Sequence, residues 1–182
     1  MSYAAGHRQE PASRPQCCPA FDPEWERMLR AVDRVKDALG KTVDPGIRET
    51  VAVLNLLGFR TRQSCEGHVN ERGLGLPTPW VDIDPSAQGN VASEQMMKRL
   101  LNDFHQSRES PEDTRIRWEN GRIQVGDTHD NLESVRQRIG AGTLIGDDLQ
   151  RLRVTLAARQ QEMRDFTDFL KDRRRNSGKA AG

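Results

Sequence analysis

Residues 115–125 read Arg-Ile-Arg-Trp-Glu-Asn-Gly-Arg-Ile-Gln-Val, and the class of the fold follows from them. Two runs in which apolar and polar residues alternate, Arg115–Trp118 and Arg122–Val125, flank Asn120-Gly121. That dipeptide tolerates the positive φ angles of a two-residue turn, so the stretch predicts an antiparallel hairpin. Upstream, Phe59 to Cys65 alternates aromatic and β-branched residues with arginine. Trp80-Val81-Asp82-Ile83-Asp84 alternates again, with Val81 and Ile83 on one face and Trp80, Asp82 and Asp84 on the other. Four short strands are therefore expected.

Helical spacing fills the rest. Trp25, Met28, Val32, Val35 and Leu39 recur at threes and fours from Asp22-Pro23 to Gly40. Asp44-Pro45 has the form of an N-cap followed by proline at the first helical position, and Ile47, Val51, Leu54 and Leu57 continue that helix to Gly58. Residues 92–106 form a third through Met96, Met97, Leu100, Leu101 and Phe104, and Leu132, Val135 and Ile139 suggest a short one closed by Gly140. From Ile145, the residues Leu149, Leu152, Leu156, Arg159, Met163, Phe166 and Leu170 keep a four-three spacing, which predicts a long helix over 143–172 with one charge in its stripe. The expectation is an α+β domain over 21–175: a small antiparallel or mixed four-stranded sheet packed by helices, with a long C-terminal helix. Residues 1–20 and 176–182 lack any periodicity and read as tails. The last helix outreaches the first, so its excess, Met163 to Leu170, is expected to pack between two copies in a homodimer.

Composition excludes several classes. The 182 residues are 35% hydrophobic and 30% charged, with no run of about 18 apolar residues that a membrane span requires. No apolar segment lies between the N-terminal charges, so no secretory signal is read and a cytosolic placement is expected. Twenty-eight basic against 27 acidic residues give a net charge of +1, which provides no single-sign field for general nucleic-acid binding. Of the basic residues 23 are arginine; a GC-rich coding sequence explains such a bias, and planar recognition of phosphate or carboxylate would use it. Three cysteines, with Cys17 and Cys18 adjacent, make no disulfide framework, which points to a reducing compartment.

The densest group of reactive side chains is Ser64-Cys65-Glu66-Gly67-His68, at a strand end where glycine permits a sharp turn. Cys65 offers a thiolate, His68 a base near neutrality, and Glu66 a carboxylate to orient the imidazole, so these three are the catalytic candidates. The plainer alternative makes Cys65 a small buried hydrophobe and His68 a loop hydrogen-bonder. Ser64, Arg60, Arg62, Trp80, Asp82 and Asp84 are the ligand-binding candidates. Arg60 and Arg62 share a strand face that Arg115, Arg117 and Arg122 would extend into a phosphate-binding strip. Asp82 and Asp84 share a face suited to Mg²⁺ or a cationic group. A metal reading joins Cys65 and His68, as C-x-x-H, to His105, His129, Asp82 or Asp84. The spacing itself supplies two ligands, and no metal is assigned. Residues 69–79, with Gly73, Gly75, Pro77 and Pro79, are expected to form a lid. Lys171-Asp172-Arg173-Arg174-Arg175 would complement the negative end of the long helix.

The stretch DPGIRETVAVLNLLGFRTRQSCEGH and the following PWVDID, residues 44–84, resemble a family of bacterial and phage proteins carrying an SCEGH motif. That resemblance implies no particular reaction. Ser64, Cys65 and Gly67 also resemble the Ser-Cys-rich strand-end loop of the wybutosine-pathway tRNA methyltransferase family, which would imply a tRNA-modifying enzyme using S-adenosylmethionine.

The functional expectation is a polar ligand-binding or catalytic pocket formed by the 64–68 turn, the 69–79 loop and the 80–84 strand, for a phosphate-bearing small molecule or nucleotide. The alternatives are a non-enzymatic homodimeric module using the C-terminal helix and the methyltransferase-like enzyme. The cofactor is left open.

Overall fold

A computed structural model describes residues 22–37, 39–69, 77–84, 90–106, 108–126 and 146–179. Along the chain these form α1 (Pro23–Val32), a 3₁₀ turn (Pro45–Ile47), α2 (Arg48–Leu56), β1 (Thr61–Cys65), β2 (Trp80–Ile83), α3 (Asn90–His105), β3 (Ile116–Glu119), β4 (Arg122–Val125) and α4 (Gly146–Lys179). The hairpin forms at Asn120-Gly121, whose φ angles of 51° and 82° are both positive, as a two-residue turn that matches strand twist requires. β4 then inserts beside β2, giving the order β1-β2-β4-β3 with every pair antiparallel. The fold is the expected α+β arrangement, with an antiparallel sheet.

One sheet face carries Val81, Ile83, Ile116, Ile123 and Val125, all buried, in one core with Met97, Leu101 and Phe104 of α3 and Met163, Phe166 and Leu170 of α4. Phe104 and Phe166 meet edge to face with centroids 5.2 Å apart. Each such large apolar side chain contributes about 1.5–3 kcal/mol on leaving water.

Several expectations are corrected. The first helix ends at Val32, leaving Val35 and Leu39 exposed. Asp37 Oδ1 accepts the Leu39 and Lys41 N–H groups, each at 2.8 Å, and this side-chain-held turn outcompetes continued helix. α4 continues through residues 176–179, which had read as tail. Met163, Phe166 and Leu170 lie in the protein's own core, so the stripe assigned to a second copy is already covered. The sheet and α3, not α1 alone, supply that cover.

Arg159 stays in the buried stripe at 4% exposure because its neighbours are oxygen acceptors. Nε donates to Asp113 O at 2.9 Å, and Nη1 to Pro77 O at 3.0 Å and Thr78 Oγ1 at 2.8 Å. The basic run pairs sideways rather than capping the helix end: Lys171 with Glu49, Arg173 with Asp103, and Arg174 with Asp22 and Glu24. It staples α4 to the segments of α1, α2 and α3 and is not a free basic surface. The tail 1–20, the core of the proposed lid (70–76), His129 and the helix read at 132–139 lie outside the described residues.

Candidate metal centre

β1 delivers Cys65 to the edge of the sheet, and the chain reverses at Gly67, where φ is 81°. A Cβ at that position would lie 2.7 Å from Leu156 Cδ1 and 3.0 Å from the Thr78 carbonyl carbon. Only glycine meets both demands, and the reversal brings His68 back beside Cys65.

Opposite this turn stands Asp44. Its place before Pro45 suggested an N-cap, yet its side chain makes no capping hydrogen bond. Asp44 Oδ2 instead accepts the Glu66 N–H at 3.1 Å and lies 3.3 Å from His68 Nε2. Glu66 reciprocates, its Oε2 accepting the Gly46 N–H at 2.6 Å. Two segments remote in sequence are thus held by a paired exchange of backbone donors and carboxylates. Cys65 Sγ accepts the Gly67 N–H at 3.4 Å.

One donor atom from each of Asp44, Cys65 and His68 lies within 4.8 Å of the others, the one such His/Cys/Asp/Glu group among the described residues. His68 is about half exposed, with 49% of its side chain accessible, so the cluster opens to solvent. Burial pushes the Cys65 thiol upward, opposed by the Gly67 N–H, and the Asp44 and Glu66 charges push it further up. Burial first, and the neighbouring carboxylates next, thus disfavour the thiolate. Thiol, imidazole and carboxylate converge on one small region.

Three convergent donors with excess negative charge are the setting of a cation site. Two ligands about 2.0 Å from one tetrahedral ion lie about 3.3 Å apart, which is the observed His68–Asp44 separation.

The other candidates fall elsewhere. Glu66 holds Gly46 rather than the imidazole, and Asp44 takes the orienting role. Ser64 pairs with Val81 on the core side of the sheet, while Cys65 pairs with Trp80. Asp82 is buried and gripped by Arg122 at 2.6 and 3.1 Å, so it offers no free carboxylate beside Asp84 for Mg²⁺. The Arg122 guanidinium lies 4.1 Å over the Trp80 ring. Trp80 Nε1 is buried with no hydrogen-bond partner among the described residues.

The arginine strip does not form. A bulge between Thr61 and Gln63 breaks the alternation that would align Arg60 with Arg62. β1 and β3 lie on opposite edges of the sheet, and Arg117 pairs with Glu112. His105 Nε2 lies 3.0 Å from Ile116 O, outside the cluster. A polar groove of about 380 Å³ lined by Glu94, Lys98, Trp118, Glu119, Asn120 and Gly121 shares no residue with the site.

The chain matches no family model, no curated protein and no solved structure. Its function is therefore argued from this geometry.

Proposed function

We propose that Asp44, Cys65 and His68 hold one divalent ion of the zinc class and leave one coordination position for a polar small-molecule ligand. The carrying observation is the convergence of a carboxylate, a thiol and an imidazole within 4.8 Å on an open edge of the fold. Thiolate and imidazole select a borderline transition metal over Mg²⁺ or Ca²⁺, which take oxygen ligands. Three protein ligands with a fourth, exchangeable position is the pattern of catalytic rather than structural zinc. Such an ion also favours deprotonation of the thiol that the surrounding carboxylates otherwise oppose.

The chemistry available is polarisation of a carbonyl or phosphoryl oxygen, or activation of a bound water. The backbone N–H groups of Glu66 and Gly67 fix the carboxylate and the sulfur, as outer contacts in metal sites do. For the phosphate-bearing ligand, the remaining support is exposed Arg60 and Arg62 near β1, because Arg117 and Arg122 have carboxylate partners. The ligand class proposed is accordingly an oxygen donor, of which a phosphate ester is one example.

The test is titration of metal-free protein with Zn²⁺ and Co²⁺. One ion per chain is expected, with a near-ultraviolet sulfur-to-cobalt band that disappears in Cys65→Ser. Absence of stoichiometric uptake at micromolar concentrations, or a band that persists without Cys65, overturns the reading.

A further inference from the structure

Three residues within about one turn of α4, Leu156, Arg159 and Gln160, grip the turn that carries Cys65 and His68. Leu156 fills the space beside Gly67. Arg159 anchors Pro77 and Thr78, whose backbone abuts Gly67 from the β2 side. Gln160 Nε2 donates to the Glu66 carbonyl at 3.1 Å. That carbonyl and the Gly67 N–H belong to one peptide group, which is planar, so fixing its oxygen fixes the direction of its N–H. The N–H points at Cys65 Sγ, 3.4 Å away.

We infer that Gln160 is a positioning residue for the metal centre: by holding the Glu66–Gly67 peptide it aims an N–H at the Cys65 sulfur and sets the spacing of Cys65 and His68. This rests on the metal reading above. Hydrogen bonds to a ligating sulfur tune its electron donation, and outer-shell partners of metal ligands typically carry about 10–100-fold in affinity. Gln160 touches neither the ion nor any ligand on it. Its influence passes through a single peptide plane.

The experiment compares Gln160→Met, which keeps length and packing but loses the donor, with Gln160→Lys, which restores a donor of similar reach. In Gln160→Met, Zn²⁺ affinity is expected to fall about 10-fold and the sulfur-to-cobalt band to shift, with the melting temperature of the metal-free protein falling only slightly, by the loss of one part-buried hydrogen bond. Gln160→Lys should recover most of both. Unchanged affinity and band in Gln160→Met, or equal losses in both variants, overturns the inference.

Should the unaltered protein take up no metal, the metal reading fails by itself and amide exchange of the metal-free protein decides the positioning claim. Faster exchange at Gly67 in Gln160→Met, reversed in Gln160→Lys, supports it. Identical exchange in all three proteins rejects it.

Discussion

The Asp44 carboxylate, at the start of the 3₁₀ turn, and the His68 imidazole, just beyond the end of β1, lie 3.3 Å apart. Because the same Asp44 oxygen also accepts the Glu66 N–H, ligation and local folding are separable by substitution. Asp44→Asn keeps an acceptor for that N–H and loses the anionic ligand. It should lower Zn²⁺ affinity by at least about 100-fold, beyond the loss typical of an outer contact, with melting nearly unchanged. Asp44→Ala should lower both. Calorimetric titration beside thermal melting checks the pair, and a tight-binding Asp44→Asn protein would remove Asp44 from the ligand set.

Gly67→Ala adds a Cβ against Leu156 and the Thr78 backbone at a φ of 81°. Gly40 has nearly the same φ, 77°, with nothing among the described residues within 4 Å of an added Cβ. Gly40→Ala should therefore cost only the left-handed backbone penalty, about 1 kcal/mol. Gly67→Ala should cost that plus a steric clash, about 3 kcal/mol in all. Urea unfolding of the two variants measures the difference, and equal losses would refute the tight approach of α4 to the turn.

Arg159→Met leaves the Pro77 and Asp113 carbonyls and the Thr78 hydroxyl without the donors that Arg159 provides. A destabilisation of about 3 kcal/mol is expected, since each buried acceptor left unmatched costs about 1–3 kcal/mol and some are recovered by water. Exposed Arg151→Met on the same helix should stay within about 0.5 kcal/mol. Denaturant midpoints compare them.

The Asp22 carboxyl is held below the ordinary carboxylate value, first by its hydrogen bond from Arg174 and next by the Trp25 N–H that it caps. Its folded value is depressed, so its contribution is complete above the unfolded value of about 3.9 and is lost as pH falls through the folded value. Asp22→Asn should destabilise the protein at pH 6 by no more than about 1 kcal/mol, because the pair is only partly buried and solvent still screens it. The difference from the unaltered protein should shrink toward pH 2. A gap that stays constant down to pH 2 would show that ionisation of Asp22 is irrelevant.

The hairpin was legible because Asn120-Gly121 demands a particular turn, and the core strand faces because Val81, Ile83, Ile123 and Val125 recur at period two. Two of the three cluster residues, Cys65 and His68, were legible as a motif. Asp44 was not, since Asp-Pro before a helix has a sufficient local explanation and its real partners, Glu66 and His68, are set by tertiary packing. Similarly, Val35 and Leu39 keep helical spacing but lose to the turn built by Asp37. Arg159 looked like a flaw in an apolar stripe because no local pattern reveals the carbonyls that would surround it.

The position of α4 at the end of the chain order also sets a timetable. During synthesis β1 to β4 are complete at Val125, but Met163, Phe166 and Leu170 follow only some 40 residues later, a delay of about 2–8 s at about 5–20 residues per second. Throughout that interval the sheet has no α4 to cover its apolar face, and the Cys65 turn lacks Leu156, Arg159 and Gln160. Closure of the core and assembly of the site therefore become one late event, and a chain released before residue 170 would expose the same face to chaperones and proteases.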